Sequence, residues 1–362
     1  MNPTLVPGAA GERAVAERVA SELGSVGLDV EVHDAAPGRP NVVGVVEGRR
    51  PGRTLMLCGH LDTVGVTGMT APFDPSEREG RLYGRGTQDM KSGVAAMVGA
   101  AAFVASRGLE AGRLVVAGVV DEEYASVGAD ALAQRWTADA AVITESTDLA
   151  IATGHKGFAW VDVETRGRAA HGSRPRDGRD AILDMGRVLG RLEALDRELQ
   201  ARPAHPLLGT ASLHVSTVAG GRELSVYPDL CSLSFERRTL VDEPDGVALA
   251  EAQHILRALH ADDPAFDAST HLSLERPAYE LPRDHPLPRA IATALTRGGR
   301  AAPVVGMSFW TDAAILGRAG VPSVLFGPTG AGLHSVEEYV EIASVLTCRE
   351  VLADLAFAFC AG

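Results

Sequence analysis

Two histidines and a set of carboxylates stand where chemistry can be done: His60 with Asp62, then Asp89, the Glu122-Glu123 pair, Glu145 and His334. Each ends an apolar run or sits beside glycine. Imidazole and carboxylate donors together suit zinc, cobalt or manganese, whereas a thiolate site would show clustered cysteines. Five ligands, one of them shared, are enough to hold two ions, and an acid left over beside a ligand is what a metal-dependent hydrolase needs as its base. Singly, each motif has an ordinary reading. Asp89 has the character of a helix cap, and Glu145 that of a polar strand end. His334 reads as a loop histidine ahead of a capping-box helix, Ser335 with Glu338 three residues on. The run Asp121-Glu122-Glu123 is self-repelling, and a cation would relieve it.

These residues need a scaffold that brings them together. Residues 12–23 carry apolar positions at helical spacing and stop at Gly24. Short apolar runs at 30–32, 42–46 and 55–57 read as strands, and 94–104 as an alanine-rich helix. Runs 114–120 and 140–143 are apolar throughout, as in strands buried on both faces. This alternation predicts an α/β domain with a central, mostly parallel sheet. Near Gly157 the texture changes. Alternating stretches at 159–165, 211–218, 230–235 and 271–274, with helices at 181–199 and 246–259, give the β-α-β-β-α-β order of a ferredoxin-like α+β unit. Helical and strand patterns resume at 288–295, 311–316, 323–326 and 340–359. The expected organisation is a discontinuous metal-dependent catalytic domain, 1–157 and 274–362, interrupted by an insert, 158–273.

A chain of 362 residues is long enough for two such domains. Its net charge of −13 argues against nucleic acid or an anionic membrane as partner. No apolar run approaches the roughly 20 residues that span a bilayer, and the first ten residues lack the pattern of a signal peptide. Cys58, Cys231, Cys348 and Cys360 have no paired spacing and read as buried thiols in a reducing compartment, so a cytoplasmic location is expected.

Together, Gly59-His60-Leu61-Asp62-Thr63-Val64, Gly84-Arg85-Gly86-Thr87-Gln88-Asp89-Met90-Lys91, Asp121-Glu122-Glu123 and the glycine-flanked His334 are far more specific than any one of them. They resemble the zinc-dependent amidohydrolase and exopeptidase family of acetylornithine deacetylase, succinyl-diaminopimelate desuccinylase, aminoacylase and carboxypeptidase G. The likeness covers essentially the whole chain. It implies two divalent metal ions, zinc first, with cobalt or manganese as alternatives. It implies that His60 and Glu145 serve one ion, Glu123 and His334 the other, and that Asp89 bridges them. Glu122 would be the base, and Asp62, two residues from His60, would orient that imidazole. A cis peptide at Asp89-Met90 is also implied. In the insert, Ala170-His171-Gly172-Ser173-Arg174-Pro175 matches a family signature that makes His171 an oxyanion donor, one that reaches the partner's active site in dimeric members. In Phe235-Glu236-Arg237-Arg238 the second arginine, Arg238, would bind a substrate carboxylate; Arg237 is expected on a solvated strand face. Ser225 stands where many members have asparagine, a shorter reach to substrate.

The expected activity is hydrolysis of an amide next to a free carboxylate. N-acyl-amino-acid deacylation comes first, a carboxypeptidase or dipeptidase second. A non-catalytic binding protein of the same fold comes last, because all six metal and base positions are present. The expected partner is a small N-acyl amino acid or dipeptide. The insert is expected to act as a lid, and monomer and homodimer through the insert both stand.

Overall fold

The computed structural model describes residues 1–362. Runs apolar at nearly every position become strands covered on both faces, as a parallel sheet requires. Arg113–Val119, Thr54–His60, Ala140–Ile143 and Ser323–Leu325 lie side by side in that order, all parallel, with almost every residue buried. The flanks differ. Asp29–Ala36 and Arg39–Glu47 form a hairpin, and its second strand runs antiparallel to Arg113–Val119. On the other side Ile151–His155 pairs antiparallel with Ser323–Leu325. The sheet is therefore mixed, with a parallel centre, and the expectation of a mostly parallel sheet is corrected. A link as short as Pro37-Gly38 can join only antiparallel neighbours.

The chain divides into two compact units. One comprises Met1–Gly154, Glu280–Gly306 and Thr311–Gly362; the other comprises His155–Tyr279 and Met307–Trp310. In the first, the helix Ser92–Arg107 starts directly against the exit of a central strand. A Cβ at Gly93 would lie 1.9 Å from the Thr144 carbonyl oxygen, so only glycine permits that approach. This helix packs on the last one, Ile342–Cys360. A small second sheet in the same unit joins Gly330–Ala331, Tyr339–Glu341, Arg81–Tyr83 and Ser76–Arg78. It replaces the capping-box helix expected from Ser335: that stretch is a turn between two short strands, and the helix starts only at Ile342.

The second unit has an antiparallel sheet in the order Ser212–Gly220, Leu230–Thr239, Gly157–Arg166, Asp267–Arg276. Helices Ala181–Ala201 and Val247–Asp262 complete a β-α-β-β-α-β chain order. Its core gathers Val161, Val163, Met185, Leu192, Leu233, Phe235 and Leu256. Side chains alternate faces along a strand. Cys231, Leu233, Phe235 and Arg237 therefore share one face, and Arg237 is fully buried there. Its guanidinium pairs with Glu243 and Glu251 and donates to the Arg238 carbonyl. The solvated position expected for Arg237 is thus wrong; strand parity carries it inward.

All four cysteines are buried free thiols. No helix is long and apolar enough to cross a membrane.

Candidate metal centre

Ligands gather where parallel strands end. His60 is the last residue of Thr54–His60, the loop bearing Glu122 and Glu123 follows Arg113–Val119, and Glu145 lies two residues past Ala140–Ile143. The carboxyl ends of adjacent parallel strands form the crevice where open α/β sheets bind ligands. Asp89 enters from the irregular turn Thr87–Lys91, whose Asp89–Met90 peptide is cis. His334 comes from the turn in the small sheet, with φ 57°. Beside it, Gly332 at φ 94° has the Glu337 carbonyl 1.9 Å from where a Cβ would lie, so no larger residue fits.

The geometry places these side chains in two sets that share one member. His60, Asp89 and Glu145 form one; Asp89, Glu123 and His334 form the other. Asp89 faces both imidazoles: its Oδ1 is 2.9 Å from His60 Nε2, and its Oδ2 is 3.2 Å from His334 Nε2. Glu145 Oε1 lies 3.8 Å from His60 Nε2, and Glu123 Oε2 3.0 Å from His334 Nε2. The other nitrogen of His60, Nδ1, sits 3.2 Å from the Asp62 carbonyl oxygen and 3.5 Å from its carboxylate. That carboxylate also accepts the backbone N–H of Glu122 and Glu123, at 3.2 and 3.1 Å, so Asp62 holds both the imidazole and the acidic loop.

Electrostatics fit a cation. Burial, then neighbouring Asp89, Glu123 and Asp312, push Glu145 up to about 8 against the pull of His60. Burial raises Glu122 well above its ordinary value, with Glu145, Asp312 and Glu123 adding to it. Glu123 is raised by burial and by Asp89. Hydrogen bonds to Asp89 and Glu123 lift His334 to about 10. Burial opposes charge on His60, but Asp62, Asp89 and Glu145 prevail and raise it well above its ordinary value. Carboxylates packed this closely cannot all ionise beside two imidazoles alone. Nitrogen and oxygen donors, no sulfur, and a shared carboxylate suit two borderline divalent ions.

The remaining predicted residues lie on the second unit. His171 is exposed, its Nδ1 2.8 Å from Ser173 Oγ. Its loop pairs by backbone with the 225–227 segment: Gly172 N–H donates to the Ser225 carbonyl, and Tyr227 N–H to that of Ala170. His171 and exposed Ser225 are thus brought to one loop pair. Arg238 is half-buried, its guanidinium 5.6 Å from the Phe158 ring centroid and its Nε donating to Glu236 Oε1 at 2.6 Å.

Sequence reasoning missed several partners. Buried Asn2 donates to both Asp62 and Asp121, at 2.8 and 3.0 Å. Asp121 also takes an ion pair from Arg39 at 2.6 Å. One of the three adjacent acids is therefore neutralised by an arginine, and of the three only Glu123 belongs to a ligand set. Glu338 is buried against the Asp89 turn. No local signal reveals these contacts, since each partner is distant in sequence.

Residues 56–358 match the model of peptidase family M20/M25/M40. The chain belongs to this family. It is a metal-dependent hydrolase. It is 32% identical to acetylornithine deacetylase of Myxococcus xanthus, over 91% of this chain and 86% of that one. It is 27% identical to N-formyl-4-amino-5-aminomethyl-2-methylpyrimidine deformylase of Bacillus subtilis, over 99% and 92%. Among solved structures, a tripeptidase from Staphylococcus aureus superposes with TM-score 0.82 at 19% identity, covering 97% of this chain and 94% of that one. A dinuclear metal binding peptidase of the M20 family from Bacillus subtilis gives TM-score 0.72 at 17% identity, covering 97% and 93%. These two show the likeness of fold.

Proposed function

We propose that this chain hydrolyses the amide of a small N-acyl amino acid with two divalent ions, zinc before cobalt or manganese. The observation that carries the reading is the Asp89 carboxylate, one oxygen beside His60 and the other beside His334. Two bound ions would supply Lewis acidity and a water of lowered pKa. Glu122 takes a proton from the attacking water and later delivers it to the amine nitrogen as the acyl C–N bond breaks. Water is consumed, and a carboxylic acid and an amine are released. His171 donates to the oxyanion that forms on the attacked carbonyl. Arg238, held by Glu236, pairs with the substrate's free carboxylate. The second unit serves as a lid, in a cytoplasmic protein.

Deacylation is favoured over peptide cleavage because the deacetylase and the deformylase among the relatives both remove, by name, a small acyl group. A carboxypeptidase or dipeptidase would use the same residues. Metal analysis with a panel of N-formyl, N-acetyl and larger N-acyl amino acids beside dipeptides tests this. Turnover of the N-acyl compounds ahead of dipeptides is expected; preference for dipeptides would overturn deacylation, and a protein binding no metal would overturn the whole reading.

A further inference from the structure

Glu338 has no role in the chemistry described so far, yet it is buried completely within four residues of His334. All of its side-chain hydrogen bonds run to residues 85 to 89, the turn that carries Asp89 and the two residues leading into it. Oε1 accepts the backbone N–H of Gln88 at 2.8 Å and of Asp89 itself at 3.1 Å. Oε2 accepts the N–H of Gly86 at 3.0 Å and a charge-assisted bond from Arg85 Nη1 at 2.6 Å. The Arg85 guanidinium then reaches outward, to the Ser335 carbonyl at 3.0 Å and to the Gly65 carbonyl at 3.2 Å. Three loops are thereby pinned together: the one leaving His60, the one carrying Asp89 and the one carrying His334.

The Asp89 turn cannot orient itself. Its peptides from Gly86 to Asp89 lie in no regular helix or ladder, and buried N–H groups must find acceptors. One carboxylate supplies the acceptor for three of them. A shared ligand has to present its two oxygens in opposite directions, so small rotations of its backbone would misplace both.

We propose that Glu338 is a positioning residue for the metal pair, acting through the backbone of Asp89. The proposal rests on the two-metal reading. A purely structural ion pair with Arg85 is the alternative, and the two make different demands on variants. Outer partners of metal ligands are typically worth about 10–100-fold in metal affinity.

The experiment is titration of the chelator-treated full chain with Mn²⁺, by equilibrium dialysis and electron paramagnetic resonance, beside thermal unfolding without metal. Wild type is expected to bind two equivalents with a spin-coupled signal. Glu338→Ala should weaken both equivalents together by about 10–100-fold and replace the coupled signal with that of isolated ions. Arg85→Met removes the ion pair but leaves the three backbone bonds, so its metal affinity should stay near wild type even where its unfolding temperature drops. If Glu338→Ala does not fold, Glu338→Gln, which keeps the volume, carries the test and should still weaken both equivalents. Wild type that takes up fewer than two equivalents overturns the two-metal reading and this role with it. Two tight equivalents in the folded Glu338 variant, a loss confined to one equivalent, or an equal loss in Arg85→Met overturns the positioning role alone.

Discussion

Glu122 has no metal partner in either ligand set, and burial favours its protonated form. It can therefore hold a proton between two steps of a reaction. Glu122→Gln should keep both metals and lose turnover by about 10²–10⁴-fold, the usual effect of removing a general base; rates near wild type would take Glu122 out of that role. Asp89→Ala should lower occupancy of both metals, because one side chain serves both sets. Two full equivalents by elemental analysis in that variant would contradict the bridge. The metal-ligand candidates were legible in the sequence because a strand end or a glycine-bounded turn marks each with local signals. Glu338, Asn2 and Arg39 were not, since what defines them is a partner far along the chain: 249 residues separate Glu338 from Asp89. Their local context suggests only a cap, a terminus and a hairpin residue.

Strands are where the sequence spoke most plainly, and also where it misled. Wholly apolar runs such as 140–143 became central strands because burial on both faces leaves no room for polar residues. Ser76–Arg78 and Arg81–Tyr83 went unseen because exposed or half-exposed strands of three residues carry no period to read. Adjacent Arg237 and Arg238 look equivalent in sequence, yet strand parity sends them to opposite faces. Arg237→Ala removes one partner of a buried charge network, so stability should fall by about 3–5 kcal/mol, measurable by urea unfolding. A change within experimental error would mean the network adds nothing. Arg238→Ala should leave unfolding nearly untouched. It should weaken binding of substrates with a free α-carboxylate while matched amides are little affected. Equal loss on acid and amide would show that Arg238 does not read the carboxylate.

At the scale of the whole molecule, protons would compete with metal ions for one cluster. In metal-free protein Glu145 is raised to about 8 and His334 to about 10, from ordinary values of 4.5 and 6.5. Both groups bind protons more tightly folded than unfolded, so the stability they contribute falls as pH rises. Glu145 acts between 4.5 and about 8, and His334 between 6.5 and about 10; the two overlap from 6.5 to about 8. Metal binding needs the deprotonated ligands and releases those protons. Chelator-treated protein should therefore lose melting temperature across that window while metal affinity rises, and loading at pH 7 should acidify a weakly buffered solution. Loading without proton release would contradict these shifts. The change from apolar runs to alternating ones lies near Gly157, and the second compact unit begins at His155; the antiparallel flanks of the first sheet left no such signal, because pairing direction depends on neighbours rather than on composition. The segment bearing His334 follows the whole second unit in the chain. During synthesis His60, Asp89, the glutamates and Glu145 leave the ribosome long before His334 and Glu338 do, and contacts of such sequence separation form late. Until residues 334 to 338 emerge the acids have no second imidazole and Asp89 has no frame, so the two candidate ligand sets are completed only after the whole second unit has been made.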